Sequence, residues 1–159
     1  RAEAFKLSTG FYVMVQAFAI PGAVLINFFI DKVDRVMALA IAMGIAACGY
    51  LYLGFIDDIF SKQMYFGAAL LGLGEIFANI SAISLIGSAA PAKGRGAVIG
   101  GFSFFGAIGI LLVASIGGWL FDNISPTAPF TMVGFANLAL LILALVLLFS
   151  ERAKNNLNS

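Results

Sequence analysis

Glu75 lies in the run Leu70-Leu71-Gly72-Leu73-Gly74-Glu75-Ile76-Phe77-Ala78-Asn79-Ile80, and no other carboxylate or cation sits well inside a long apolar stretch of this chain. A carboxylate at membrane depth costs roughly 2.5–3.5 kcal/mol on insertion scales, so its presence points to use. Three chemistries are open to it. It can take up and release a proton, balance a cation, or hydrogen-bond a neighbouring helix, for instance an arginine outside this chain. Asn79, one helical turn on, and Gln16, Ser103, Ser81 and Ser84 are the polar groups available to line the same space. Each alone is an interhelical hydrogen bond worth roughly 0.6 kcal/mol. The chain has no histidine, no acidic pair within an apolar stretch and no metal-ligand spacing. That removes His-ligated haem, zinc and a histidine proton relay, and leaves an intramembrane enzyme without machinery. The expectation is a protein with no catalytic residue, no metal and no cofactor. Cys48 is the lone cysteine and cannot form an intramolecular disulfide; packing is its default role.

The elements that must hold Glu75 follow from composition. The chain is 62% hydrophobic and 11% charged, with a mean hydropathy of +1.04. Soluble domains run at about 45–50% apolar and about 25% charged, so this is an integral, multi-pass membrane protein. A net charge of +1 argues for neither nucleic acid nor a polybasic membrane-surface protein. The chain starts at Arg1, and 1–10 lacks the basic-then-apolar layout of a signal peptide, so it reads as a piece of a longer polypeptide.

A bilayer core of about 30 Å needs around 20 apolar residues per helix. Five stretches fit: residues 11–30, 36–56, 64–88, 98–121 and 129–149, with a tail at 150–159. Strand-type alternation is absent and lipid leaves open sheet edges unsatisfied, so the predicted fold class is an all-α membrane bundle. The short connections hold almost every charge. With the first residue outside, one side carries Lys32, Arg35, Lys93, Arg95, Arg152 and Lys154, and the other only Arg1, Lys6 and Lys62. The basic excess puts the tail in the cytoplasm, in a plasma or inner membrane. Tyr12, Tyr50, Tyr52, Tyr65 and Trp119 all fall near the outer helix ends, where amphipathic rings anchor at the interface. A first span entering from outside implies one preceding helix missing from the chain.

Small residues recur at four-residue spacing: Ala40, Gly44 and Cys48 in the second stretch, Gly96 and Gly100, then Gly106, Ala114 and Gly118 in the fourth. Such rows let membrane helices approach closely. The glycines of the fourth stretch fit either close packing or bending during a conformational cycle. Leu138–Leu148 is nearly uniform in Leu, Ile, Val and Ala and reads as lipid-facing. Pro126 and Pro129 precede the last helix, with Ser125 or Thr127 available as its cap.

Two loops carry a family signal. Asn27-Phe28-Phe29-Ile30-Asp31-Lys32-Val33-Asp34-Arg35 resembles the major facilitator superfamily loop of Gly, three residues, Asp, Arg or Lys, one residue, Gly, Arg and a further basic residue; it matches at Asp31, Lys32 and Arg35 and lacks the last basic residue. Asn27 and Asp34 replace the two glycines. Pro91-Ala92-Lys93-Gly94-Arg95-Gly96-Ala97-Val98-Ile99-Gly100 resembles the family's Pro-x-x-x-Arg-Gly-x-x-x-Gly connection. Gly117-Gly118-Trp119-Leu120-Phe121-Asp122 followed by Ala128-Pro129-Phe130 is similar to the end of its eleventh helix. Asn27–Asp31 against Gly118–Asp122, each an aromatic-rich helix end closing on Asp, echoes the internal repeats of transporter folds.

The resemblance implies that the five spans are helices 8 to 12 of a twelve-helix transporter, partnered by helices 1 to 7. It implies secondary active transport of a small organic solute by alternating access, with the lipid bilayer, solute and proton as partners. The inner-gate loop residues it implies are Asp31, Lys32, Arg35 and Arg95, with Asp31 capping a neighbouring helix and latching with Arg35; lipid headgroup contacts or topology signals are the plainer reading of these charges. On a helix, Glu75 shares its face with Ala68, Leu71, Gly72, Ala78, Asn79 and Ala82, mostly small or polar, and so points into the bundle or a wet cavity. About eleven residues from the outer helix end, at roughly 1.5 Å each, it sits near the midplane. There it is the candidate proton-coupling residue, with Asn79, Gln16 and Ser103 as cavity candidates. The absence of Lys and Arg from the spans favours a neutral or cationic solute. The competing expectation is a membrane scaffold or assembly subunit, with Glu75 bonded to a partner helix.

Overall fold

The computed structural model describes residues 2–30, 32–56 and 63–157, and the side chains of these except at 2–8, 29–30 and 151–157. Five helices follow one another: α1 (Ala2–Ile30), α2 (Arg35–Gly54), α3 (Gln63–Ala89), α4 (Arg95–Asn123) and α5 (Ala128–Leu157). There is no strand among the described residues. Each helix holds a stretch long and apolar enough to cross a membrane, so the fold is all-α and membrane-embedded.

Local chemistry sets the helix starts. Asp34 caps α2, its carboxylate accepting from the N–H groups of Val36 at 3.0 Å and Met37 at 3.1 Å. Such a cap satisfies amides that have no partner inside the helix. Reading Asp34 as a stand-in for a loop glycine misses this; an Asp directly before a long apolar run is itself a start signal. Ser125 Oγ accepts from the N–H of Ala128 at the head of α5, at 3.0 Å. Gly94, with φ +108°, precedes α4 in a backbone region that favours glycine.

The packing order runs α1, α3, α2, α5, with α4 touching α5 and α3 only lightly. The contacts are made by small residues, not large ones. Buried positions are mostly alanine (Ala40, Ala42, Ala46 and Ala47 on α2, Ala68 on α3), whereas Phe105 is 71% exposed and Ile110 72%. Lipid tails are as apolar as leucine, so helices here gain by close backbone approach and not by hiding large side chains. A Cβ on Gly74 would lie 2.5 Å from the backbone nitrogen of Ala46, and one on Gly49 would lie 3.0 Å from that of Leu71. On the other side of α3, Gly72 lies against the backbone carbonyl of Val15 in α1.

The α4 glycines behave differently. Gly96, Gly100, Gly101, Gly106, Gly109 and Gly118 have nothing within 4 Å of a built Cβ. Within the described residues, close packing therefore does not account for them. Helices α2 and α5 meet tightly at one end, Gly54 against Thr131 and Gly134 against Leu51, and splay toward the other, where a Cβ on Gly44 would be 3.7 Å from Leu141. The splay opens an apolar cleft of about 400 Å³ toward the end that carries Arg35. Ala144 and Leu148 turn a buried stripe of α5 inward, and Leu143, Val146 and Leu147 stay exposed.

Candidate functional site

Glu75 projects from α3 into a cavity of about 160 Å³ between α3 and α1. Val15, Gln16 and Ala19 form the α1 wall, and Gly72, Glu75, Ile76 and Asn79 the α3 wall. The glycine at 72 brings the two backbones together, and the polar side chains one turn along then face each other across the gap. Gln16 and Asn79, both expected as lining groups, are in it with Glu75; all three are exposed. Gln16 Nε2 donates to the hydroxyl of Tyr12 at 2.9 Å, extending the polar row along α1. Ser103, on the exposed face of α4, does not line this cavity. Its helix barely meets α3.

The Tyr50 hydroxyl of α2 donates to Glu75 Oε1. Sequence position alone places Tyr50 in an interfacial belt, and this contact is the main thing that reading misses. Where Gly74 meets Ala46, Glu75 stands close to the level of Ile45, so Tyr50 lies about five residues, roughly 7.5 Å, further along α2. Both side chains lean toward their own helix N-termini, and in an antiparallel pair those directions converge. A tyrosine one turn inside a helix end therefore reaches deeper than its position suggests. Tyr12, Tyr65 and Trp119 remain 63%, 49% and 59% exposed, and Tyr52 packs edge-on against Phe66.

Ligand sites for small molecules run at about 300–1,000 Å³. The cavity here is smaller, though a water's share of liquid volume is only about 30 Å³. Within this chain it can hold waters, a proton and one end of a solute. A carboxylate beside two amides and a phenol offers acceptors to a cation and both donors and acceptors to a neutral polar group. No cluster of metal-binding side chains exists among the described residues.

Of the gate candidates, Lys32, Arg35 and Arg95 are exposed, with Arg35 and Arg95 opening α2 and α4. Asp31 lies outside the described residues. The cap of α2 is its own Asp34.

Residues 4–159 match the family model described as the Major Facilitator Superfamily. The chain is 34% identical over 123 residues to magnetosome protein MamH of Paramagnetospirillum magneticum, covering 77% of this chain and 28% of that protein. It is 28% identical over 120 residues to magnetosome protein MamZ of the same organism, covering 76% and 19%. It is 29% identical over 133 residues to the vesicular acetylcholine transporter of Rattus norvegicus, covering 82% and 25%. The chain thus spans less than a third of the length of each of these relatives.

Proposed function

Because the chain belongs to the Major Facilitator Superfamily, we infer that the full-length protein is a secondary active transporter, moving a small neutral or cationic organic solute by alternating access with proton coupling through Glu75. The observation that carries this reading is the cavity in which Glu75, Gln16 and Asn79 converge at a tight α1–α3 crossing. A similar protein named for acetylcholine, a cation, supports the cationic option. In this reading the five helices take the places of helices 8 to 12, and helices 1 to 7 complete the cavity. The tail faces the cytoplasm of a plasma or inner membrane, in line with the basic residues at that end of the helices.

Glu75 binds a proton when the cavity opens to one side and releases it to the other. The neutral acid then crosses the reorientation without carrying a buried charge past apolar walls. Tyr50 is a positioning residue that holds the carboxyl between α2 and the cavity. Asp31, Lys32, Arg35 and Arg95 act at the inner gate, where charge-assisted bonds are comparable in strength to the gap between conformers.

The Tyr50–Glu75 bond also favours a second reading, a scaffold subunit in which that bond is structural. The magnetosome relatives are named for the magnetosome and not for a solute. Proteoliposomes holding the full-length protein, driven by candidate solute gradients, separate the two. Solute-driven proton movement lost in Glu75→Gln, with solute exchange retained, is the expected result. Equal proton movement in both forms refutes the coupling role, and absence of flux with every organic cation and neutral solute tried favours the scaffold.

A further inference from the structure

The cleft between α2 and α5 lies on a different side of α2 from α3, apart from the Glu75 cavity. Its walls, among them Ala40, Ile41, Gly44, Leu141, Leu145 and Phe149, are entirely apolar. An extended peptide segment there would leave its N–H and C=O groups unsatisfied, whereas a hydrocarbon chain has none to satisfy. The outer surface of α5 beside it presents Leu140, Ile142, Leu143, Val146 and Leu147. These are large aliphatic side chains without the small or polar residues that dock membrane helices, so this surface faces lipid.

Charge selects which lipid. The cleft opens toward the helix end at which Lys32 and Arg35 are exposed, and α5 continues at the same end through Arg152 and Lys154 in sequence. The acids in these segments are Asp31, Asp34 and Glu151. Of these, Asp34 is engaged with the amides of Val36 and Met37, and the described cations at this end, Lys32 and Arg35, are exposed. Basic pockets between helices at a membrane surface favour acidic headgroups.

We propose that the α2–α5 cleft binds one acyl chain of an anionic phospholipid, whose headgroup phosphate is held by Lys32 and Arg35. The apolar volume fixes the tail and the two cations discriminate the headgroup. Neither part suffices alone.

Native mass spectrometry of the full-length protein, titrated with phosphatidylglycerol and with phosphatidylcholine of identical chains, tests this. Phosphatidylglycerol should be retained in preference, and Lys32→Gln or Arg35→Gln should each weaken it by about five-fold. Gly44→Leu fills the cleft and should remove the lipid. Ile41→Phe does so from an exposed lip, 51% accessible, and serves if Gly44→Leu fails to assemble. Equal retention of the two lipids, or binding untouched by both the charge and the filling variants, overturns the proposal. It is equally overturned if glycerol phosphate competes as well as the whole lipid, or if the filling variants abolish a dimer of the protein that carries no lipid.

Discussion

Replacing Gly74 with alanine is the sharpest test of the helix packing. The new Cβ would sit 2.5 Å from the nitrogen, 2.6 Å from the Cα and 2.9 Å from the Cβ of Ala46. Carbon contacts settle at about 3.5–4.0 Å, so α2 and α3 must part by roughly 1 Å at that point. The opposing atoms are backbone and cannot rotate aside. Overpacking costs about 1–3 kcal/mol, and the upper end applies here. Against it, alanine gains about 1 kcal/mol over glycine in helix propensity. The net is a destabilisation of about 2 kcal/mol, a roughly 30-fold change in the folded ratio. Gly44→Ala is the control, because its Cβ would meet Leu141 at an ordinary 3.7 Å. It should be neutral or slightly stabilising. Reversible unfolding of the full-length protein in bicelles, followed by SDS titration, reads both. Gly74→Ala within about 0.5 kcal/mol of the parent, the scatter expected for an unconstrained surface site, would refute the account of a backbone-on-backbone crossing.

Two further outcomes follow, one from the site and one from the helix core. Tyr50→Phe removes one hydroxyl, and a double-mutant cycle with Glu75→Ala should give a coupling of about 0.6–1.7 kcal/mol in the same unfolding assay; zero coupling would show that the two do not interact. Ser81 is fully buried and its Oγ has no hydrogen-bond partner among the described residues. Ser81→Ala should therefore be neutral, or stabilising by up to about 1–3 kcal/mol, and a loss above about 1 kcal/mol would reveal a partner for the hydroxyl.

The membrane character and the helices were legible because apolar runs broken by charged loops leave no other solution in a bilayer. Glu75, Asn79 and Gln16 were legible as polar atoms where polarity is costly. Tyr50 was not, because its role depends on how α2 and α3 are registered, and that register is set by which glycine faces which backbone. Gly74 and Gly72 stand two residues apart yet serve opposite faces of α3, one against α2 and the other against α1. Helical spacing puts two such residues on opposite faces, but it does not say which neighbouring helix each face meets. The N-cap role of Asp34 was readable from its place before the apolar run, and was obscured by the loop pattern into which it was fitted. Ser103 shares the polar type of the cavity residues but sits on a helix whose neighbours are few, which only the packing order reveals.

Glycine on two sides of α3 has a mechanical consequence. Where backbone meets backbone on both flanks, no side-chain rotamers lie between the helices at those points to absorb a displacement. At those crossings α1, α3 and α2 move as one slab, and sliding α3 alone would drive its chain into the Val15 carbonyl on one side or Ala46 on the other. Within this chain α4 stands outside the slab, meeting α3 through few residues. Any rearrangement that carries Glu75 therefore carries Tyr50 and Gln16 with it.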